Sequence, residues 1–345
     1  MQRANVSRCV CSTIRSPPTT SIDTDEHLAR CVTRVVAGTI VCYARTRMTR
    51  PTPVTVELVR EGLERARYLT TPRVETALYI ALVLEKPLLI EGPAGAGKTE
   101  IGKVLATTLE TELVRLQCYE GLDEAKALYE WNYQKQLLRI QTDRTQGLEW
   151  SEVTQHIFSH DYLLERPLLH AITAPRKVVL LIDEIDKADE EFEAFLLEVL
   201  SDFQISIPEL GTVRAQHRPV VVLTSNRARE LSEALKRRCL YLYIDFPGTD
   251  IEREIVALKV PELEPGLREQ VARFVNNLRK LDLRKTPSIA ETLDWARALR
   301  ALGIKELDAA TVRQTLNLVL KHEEDLRRAE GKLSSLLPAA SRSRE

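Results

Sequence analysis

The chain has 345 residues, 44% of them hydrophobic and 29% charged, with a formal net charge of −1. That length accommodates a mid-sized domain and a smaller one. Near-neutrality disfavours a protein that chiefly coats nucleic acid, and no apolar run approaches the roughly 20 residues a membrane span needs.

Residues 1–47 differ from everything after them. They contain no lysine, and they hold Cys9, Cys11, Cys31 and Cys42 out of 6 cysteines. Apolar periodicity is weak apart from Val35–Val41, a run too short and too deep for an ordinary secretory signal. Cys9-x-Cys11 with two lone partners has no usual zinc spacing. The expectation is a disordered extension, with Met48 as the start of the organised chain. Cys118 and Cys239 fall in or beside expected strands and read as buried thiols of a reducing cytoplasm, not as a disulfide.

From Val54 the pattern becomes regular. Apolar spacing at three and four predicts helices over 54–66 and 73–84. Pro87 ends the second and introduces the apolar run Leu88-Leu89-Ile90, a buried strand. The next residues are Gly92-Pro93-Ala94-Gly95-Ala96-Gly97-Lys98-Thr99. This GxxxxGK[ST] loop lies between strand and helix, where backbone N–H groups can turn inward around phosphates. Lys98 is placed to reach the β- and γ-phosphates of ATP, and Thr99 to ligate Mg²⁺. The helix that starts near Lys98 adds its positive dipole end. It runs to Leu109, and a short strand over 113–117 follows.

Residues 120–140 read as helical, anchored by Leu122, Leu128, Trp131, Leu137 and Leu138, and 142–159 as a loop-rich insertion. Val178–Ile182 is an unbroken aliphatic run that ends in Asp183 and Glu184. Continuous aliphatics mark a buried parallel strand, and ligands gather at the carboxyl ends of such strands. Asp183 is expected to hold Mg²⁺ with Thr99, and Glu184 to polarise an attacking water. Together the two motifs indicate a protein that binds and hydrolyses a nucleoside triphosphate.

Phe192, Phe195, Leu196, Val199, Leu200 and Phe203 form one helical face, which is core packing. Residues 204–217 alternate around Pro208 and Gly211 as a β-hairpin. A buried strand, Val220–Thr224, runs into Ser225-Asn226. A helix over 230–238 leads to a strand over 240–244. Strands alternating with helices imply a five-stranded parallel sheet covered on both faces. Beyond Pro247 only helices are expected (252–258, 267–281, 289–302, 309–326), which predicts a separate α-helical domain over 248–330. Residues 331–345 read as a flexible tail.

Strand–phosphate loop, strand–Asp-Glu, strand–Asn and a helical lid together resemble the AAA+ ATPases over Val54–Leu326. The resemblance implies an α/β P-loop core over 48–247 followed by a small all-α lid. The hairpin at 204–217 resembles that of the pre-sensor-1 hairpin clade, and the chain looks most like its MoxR-type members. Gln117–Asp123 and Leu235–Cys239 are similar to the CoxD branch, associated with maturation of carbon monoxide dehydrogenase. By resemblance, Asn226 is the sensor-1 residue and Arg238 the arginine finger, with Arg237 its near alternative. A finger acts on the neighbouring subunit's nucleotide, which implies a ring, hexameric by resemblance. The same resemblance implies a partner with a von Willebrand factor A domain and a molybdenum hydroxylase as client. Thr286–Glu291 lacks the sensor-2 arginine of related ATPases, which leaves Arg284 or Arg297 to substitute, or the role absent. The clade also contains nucleic-acid motors, the alternative reading.

Overall fold

The computed structural model describes residues 54–146, 157–208 and 210–337, and the backbone of 32–36 and 39–43. The chain divides into two units, Met1–Pro53 and Val54–Glu345. In the first unit, strands β1 (Val32–Val36) and β2 (Thr39–Tyr43) pair antiparallel. The rest of the extension expected to be disordered lies outside the described residues.

The second unit is built on a parallel sheet of β3 (Leu88–Glu91), β4 (Leu113–Gln117), β7 (Val179–Asp183), β10 (Val220–Ser225) and β11 (Leu240–Tyr243). Between β4 and β7 lies a small pair, β5 (Tyr129–Trp131) and β6 (Leu163–Glu165). Between β7 and β10 lies the hairpin of β8 (Gln204–Ile207) and β9 (Gly211–Arg214). The five-stranded order is β11-β3-β10-β7-β4, every pairing parallel.

Alternate residues of each strand feed two cores, as the two-residue period requires. Leu88, Ile90, Val179, Leu181 and Val222 pack under the helices Val56–Arg65, Pro72–Leu84 and Lys98–Thr108. Leu89, Leu180, Ile182, Val221 and Leu223 face the helices Glu124–Leu128, Pro167–Thr173, Glu190–Asp202 and Glu233–Arg238. Local chemistry sets where the helices start: Thr55, Asp123, Asp189 and Ser232 each accept a hydrogen bond from an amide three residues on.

The helical reading of 120–140 is corrected. Asp123 caps a short helix that stops at Leu128, Tyr129 turns extended, and Asn132 then caps a second helix, Tyr133–Gln146. Strand β5 breaks the helix because it pairs with β6, and Trp131 is wedged edge-on between Tyr129 and Phe158. Of the expected anchors, Leu137 and Leu138 are 60% and 66% exposed. The helix also runs to Gln146, into the expected insertion, whose residues 147–156 lie outside the described ones. The helix expected at 230–238 starts only at Glu233.

The helical region comprises Thr249–Lys259, Pro265–Arg279, Ile289–Ala301, Ala309–Thr315, Glu323–Glu330 and Leu333–Leu336, around Phe274 and Trp295. The tail expected from 331 is packed as far as Leu337, because Leu333, Leu336 and Leu337 complete that core. Residues 338–345 lie outside the described ones. No helix among the described residues is long and apolar enough to cross a membrane.

One ion pair organises this region. Glu252, 0% exposed, receives both guanidinium arms of Arg279 at 2.6 and 2.7 Å and the Thr292 hydroxyl at 2.9 Å. Arg279 also donates to the Pro287 carbonyl and lies 4.5 Å over the Phe246 ring. Removing one partner of a buried pair leaves the other charge unsolvated. Glu252→Ala is expected to destabilise the helical region by about 3–5 kcal/mol, read by urea unfolding. A loss within ~0.5 kcal/mol, the surface-mutation range, would show that the pair is dispensable.

His170 sits between Glu112 (3.0 Å) and Glu165 (3.4 Å). The Glu112 hydrogen bond, aided by Glu165, raises its pKa above the ordinary 6.5 against the opposing effect of burial. A pKa raised in the folded state adds stability that is full below the unfolded value and lost as pH rises through the folded one. The Tm difference between wild type and His170→Asn should therefore be largest below about pH 6.5 and shrink at alkaline pH. A pH-independent difference in thermal melts would refute the assignment.

Candidate functional site

Strand β3 delivers the chain to Gly92, whose φ of 155° packs it against the end of β11. A Cβ there would lie 1.8 Å from the Ile244 carbonyl oxygen. Gly95 and Gly97 also have positive φ, and Gly97 opens the helix Lys98–Thr108, which has no side-chain N-cap. The result is a turn of inward backbone amides at a helix N-terminus, a geometry suited to an anion.

Lys98 is buried, and its ammonium donates to the carbonyls of Gly92 (2.8 Å) and Pro93 (2.7 Å) and to Asn226 Oδ1 (2.8 Å). Burial lowers its pKa, against the pull of Asp186, Asp183, Glu184 and Glu91. Thr99 Oγ1 donates to Asp183 Oδ1 at 2.9 Å, and the Thr224 hydroxyl donates to the same oxygen. A hydroxyl and a carboxylate at the mouth of a phosphate loop form the hard-oxygen set that Mg²⁺ favours.

Glu184 leaves the end of β7 in the left-handed region, φ 58° and ψ 49°. A non-glycine residue is strained there, and such strain concentrates at functional sites. The surroundings hold it in place: its amide donates to Thr224 Oγ1, Gln117 Nε2 donates to Oε2 at 3.0 Å, and Asn226 Nδ2 donates to Oε1 at 3.3 Å. Lys187 Nζ pairs with Oε2 at 2.6 Å.

Several of these side chains line a cavity of about 880 Å³. Its lining includes the loop Ala94–Thr99 with Asp183, Glu184, Thr224 and Asn226. It also includes the apolar Leu69, Ile244, Phe246, Ile251, Ile255 and Leu293. Tyr68 also lines the cavity, its hydroxyl donating to the Gly97 carbonyl, and burial raises its pKa well above the phenol range. A phosphate-type loop and apolar side chains lining one cavity suit a nucleotide.

The structure thus brings together Lys98, Thr99, Asp183, Glu184 and Asn226. Gly92 and Pro93 contribute carbonyls to Lys98 without lining the cavity. Arg237 and Arg238 do not line it; both are exposed at the end of the helix Glu233–Arg238, and Arg238 Nε donates to Ser201 Oγ at 2.8 Å. Between the two candidate lid arginines, Arg297 lines the cavity, whereas the Arg284 amide is bonded to Asp325. Cys118 is a free, buried thiol whose pKa burial pushes up to about 12, and Cys239 is likewise free and pushed up to about 12 by burial.

Sequence reasoning missed Arg115 and Gln117. They protrude from the same face of β4, Arg115 paired with Asp183 Oδ2 and Gln117 bonded to Glu184. Their signal was the exposed–buried alternation of the strand, but only the β4–β7 register, which sets Gln117 beside Asp183, shows what they touch.

Residues 87–239 match the AAA domain family, dynein-related subfamily. Over 223 residues the chain is 26% identical to an uncharacterized protein of Staphylococcus haemolyticus, covering 63% of this chain and 76% of that protein. An uncharacterized protein of Staphylococcus aureus is 27% identical over the same shares. Among solved structures, a mutant of Thermotoga maritima RuvB is 19% identical with a TM-score of 0.44, covering 77% of this chain and 70% of that one. The Thermotoga maritima RuvB Holliday junction branch migration motor is 18% identical, with a TM-score of 0.42 and the same shares. The fold is the AAA+ P-loop fold, a parallel five-stranded sheet with helices, followed by a helical region.

The lid touches the phosphate loop directly: the Ile289 amide donates to the Gly95 carbonyl, and a Cβ on Gly95 would lie 2.2 Å from Ser288 Cβ. Gly95→Ala therefore strains a left-handed residue, by about 1–2 kcal/mol, and pushes the lid away. ATP affinity, by calorimetry, should fall at least about tenfold. Wild-type affinity would show that Ser288 yields without consequence for the pocket.

Proposed function

We propose, from the AAA domain over residues 87–239, that this chain is an ATP-hydrolysing remodelling machine of MoxR type that works as a ring. One observation carries the reading: Lys98, Thr99, Asp183, Glu184 and Asn226 converge on one cavity that is also lined by apolar side chains able to pack on a base. The reaction is ATP and water to ADP and phosphate.

In this reading Lys98 moves from its carbonyl and Asn226 partners to the β- and γ-phosphates, and the amides of 95–99 bind the remaining oxygens. Thr99 and Asp183 would hold Mg²⁺, which would supply neutralisation of the phosphate charge. Glu184 takes the proton of the attacking water as its general base. Asn226, already bonded to Glu184 and Lys98, orients that water against the γ-phosphate. Arg238 stands outside its own cavity, at an exposed helix end, which supports a role on the neighbouring subunit's nucleotide. There it neutralises charge that develops in the transition state.

Turnover changes the angle between core and lid through contacts such as Ser288 on Gly95, and moves the hairpin β8–β9 against a client. The wording of Gln117–Asp123 and Leu235–Cys239, similar to the CoxD branch, supports a molybdenum hydroxylase precursor such as carbon monoxide dehydrogenase as client. The same resemblance supports a von Willebrand factor A partner and a hexameric ring, and the free thiols Cys118 and Cys239 fit a reducing, cytoplasmic location.

Lys98→Ala is expected to abolish nucleotide binding, and Glu184→Gln to retain ATP while stopping turnover. Arg238→Ala should bind ATP normally and lose turnover severely, up to the roughly 10³–10⁵ seen for fingers in GTPases. Mixing Arg238→Ala with Lys98→Ala pairs an intact pocket with an intact finger, so activity should return. No recovery in mixed rings verified by native mass spectrometry would sink the trans role of Arg238.

A further inference from the structure

The helix that carries Arg238 is six residues long, too short to hold its own orientation. It is gripped at both ends by one longer helix, Glu190–Asp202, which begins shortly after Glu184. At the near end, Glu193 is 1% exposed. Its Oε1 pairs with Arg229 Nη2 at 2.5 Å, and its Oε2 accepts from the Ser232 amide at 2.9 Å. Ser232 is the N-cap of the Arg238 helix, its Oγ accepting from the Leu235 amide. At the far end, Ser201 Oγ accepts from Arg238 Nε itself. Between the grips, Leu231 and Leu235 are buried in the same core as Leu196 and Leu200.

The link from Asn226 to this helix is equally fastened. Asp186, two residues after Glu184, accepts from the Ala228 amide at 2.9 Å, and Arg229 donates to the Ala188 carbonyl at 2.6 Å. The segment between Asn226 and Ser232 is thus tied to the segment between Glu184 and Glu193. Glu193 Oε2 accepts from the Ser232 amide, while Oε1 faces the Arg229 cation as an ion pair and has no hydrogen-bond donor among the described residues, so only a carboxylate suits both contacts. An amide would turn its NH₂ toward one of them and leave two donors facing each other.

We infer that Glu193 is a positioning residue for trans catalysis. Its buried carboxylate, clamped on Arg229 and the Ser232 amide, sets the Arg238 helix in register with the Glu184 strand end. A subunit's finger is thereby aligned by the same helix that answers to its own catalytic carboxylate. The inference rests on the ring reading above, because alignment matters only if Arg238 reaches a neighbour.

The test compares Glu193→Gln with Ser201→Ala, a surface change that removes only the far grip. Glu193→Gln is expected to lower kcat at least about tenfold while the KM for ATP stays within about twofold, since neither residue lines the cavity. Ser201→Ala should lower kcat about threefold with Tm unchanged. The double variant Glu193→Gln/Arg238→Ala should be no slower than Arg238→Ala alone, since both act through one group. In mixed rings, Glu193→Gln with Lys98→Ala should regain activity, as its pocket is intact and the partner supplies a well-placed finger.

Wild-type kcat in Glu193→Gln overturns the inference. So does failed recovery with Lys98→Ala when the Arg238→Ala and Lys98→Ala mixture does recover, because the defect would then lie in the subunit's own pocket. If that control mixture fails, the ring reading falls instead. Should Glu193→Gln not fold by circular dichroism, Ser201→Ala decides, and an unchanged kcat there overturns the proposal.

Discussion

Parallel, in-register pairing of β3, β10, β7 and β4 ends all four strands at one edge of the sheet, and the candidate site exists only there. Register sets Ser225 beside Glu91, Leu223 beside Ile182 and Gln117 beside Asp183. The residues just past those positions are the phosphate loop, Asn226 and the Asp183-Glu184 pair. A slip of one residue in β7 would turn Asp183 to the other face of the sheet and put its core aliphatics out of phase. Burial on both faces penalises that slip, so hydrophobic packing enforces the alignment of polar groups beyond the strand ends.

Those polar groups form a dense anionic centre in a largely dry setting. Asp183, Asp186 and Glu91 are buried, and Glu184 stands beside them. Such a cluster is tolerated because each member has a cation or a donor: Arg115 at Asp183, Lys187 at Glu184, the Ala228 amide at Asp186, and the Tyr241 hydroxyl with Arg227 at Glu91. The same bonds preorganise the side chains. Glu184 is fixed by Gln117, Lys187 and Asn226 in a strained backbone conformation, which fits a group that must meet a substrate in one orientation.

The helical region lines part of the cavity and touches the phosphate loop through Ser288 and Ile289. Arg279 links Glu252, Thr292 and the Pro287 carbonyl, while it lies over Phe246, which lines the cavity. One buried guanidinium thus joins two lid helices to the segment that leaves β11. Ser288 heads its helix in a reciprocal capping box with Glu291 and sits against Gly95. Lid geometry and loop geometry are coupled through a few atoms.

The local motifs of the sequence determined the phosphate loop, the acidic strand end, Asn226 and the alternation of strand and helix. Each is encoded in a handful of consecutive residues with its own periodicity or spacing. A parallel five-stranded sheet was expected and is observed, but its order, β11-β3-β10-β7-β4, is set by the pairing of distant strands. What the residues alone could not decide lay in contacts between distant segments. Residues 120–140 carry helical spacing, yet pairing of Tyr129–Trp131 with Leu163–Glu165 breaks them, and the exposed Leu137 and Leu138 lose their expected place in the core. Arg115 and Gln117 look like the solvent face of an edge strand until β7 is laid beside them. Arg297 and Arg284 are equal candidates on paper, and only the packing of the lid turns one toward the cavity. The physical reason is the same throughout: short-range preferences choose an element, but long-range burial and register choose what that element touches.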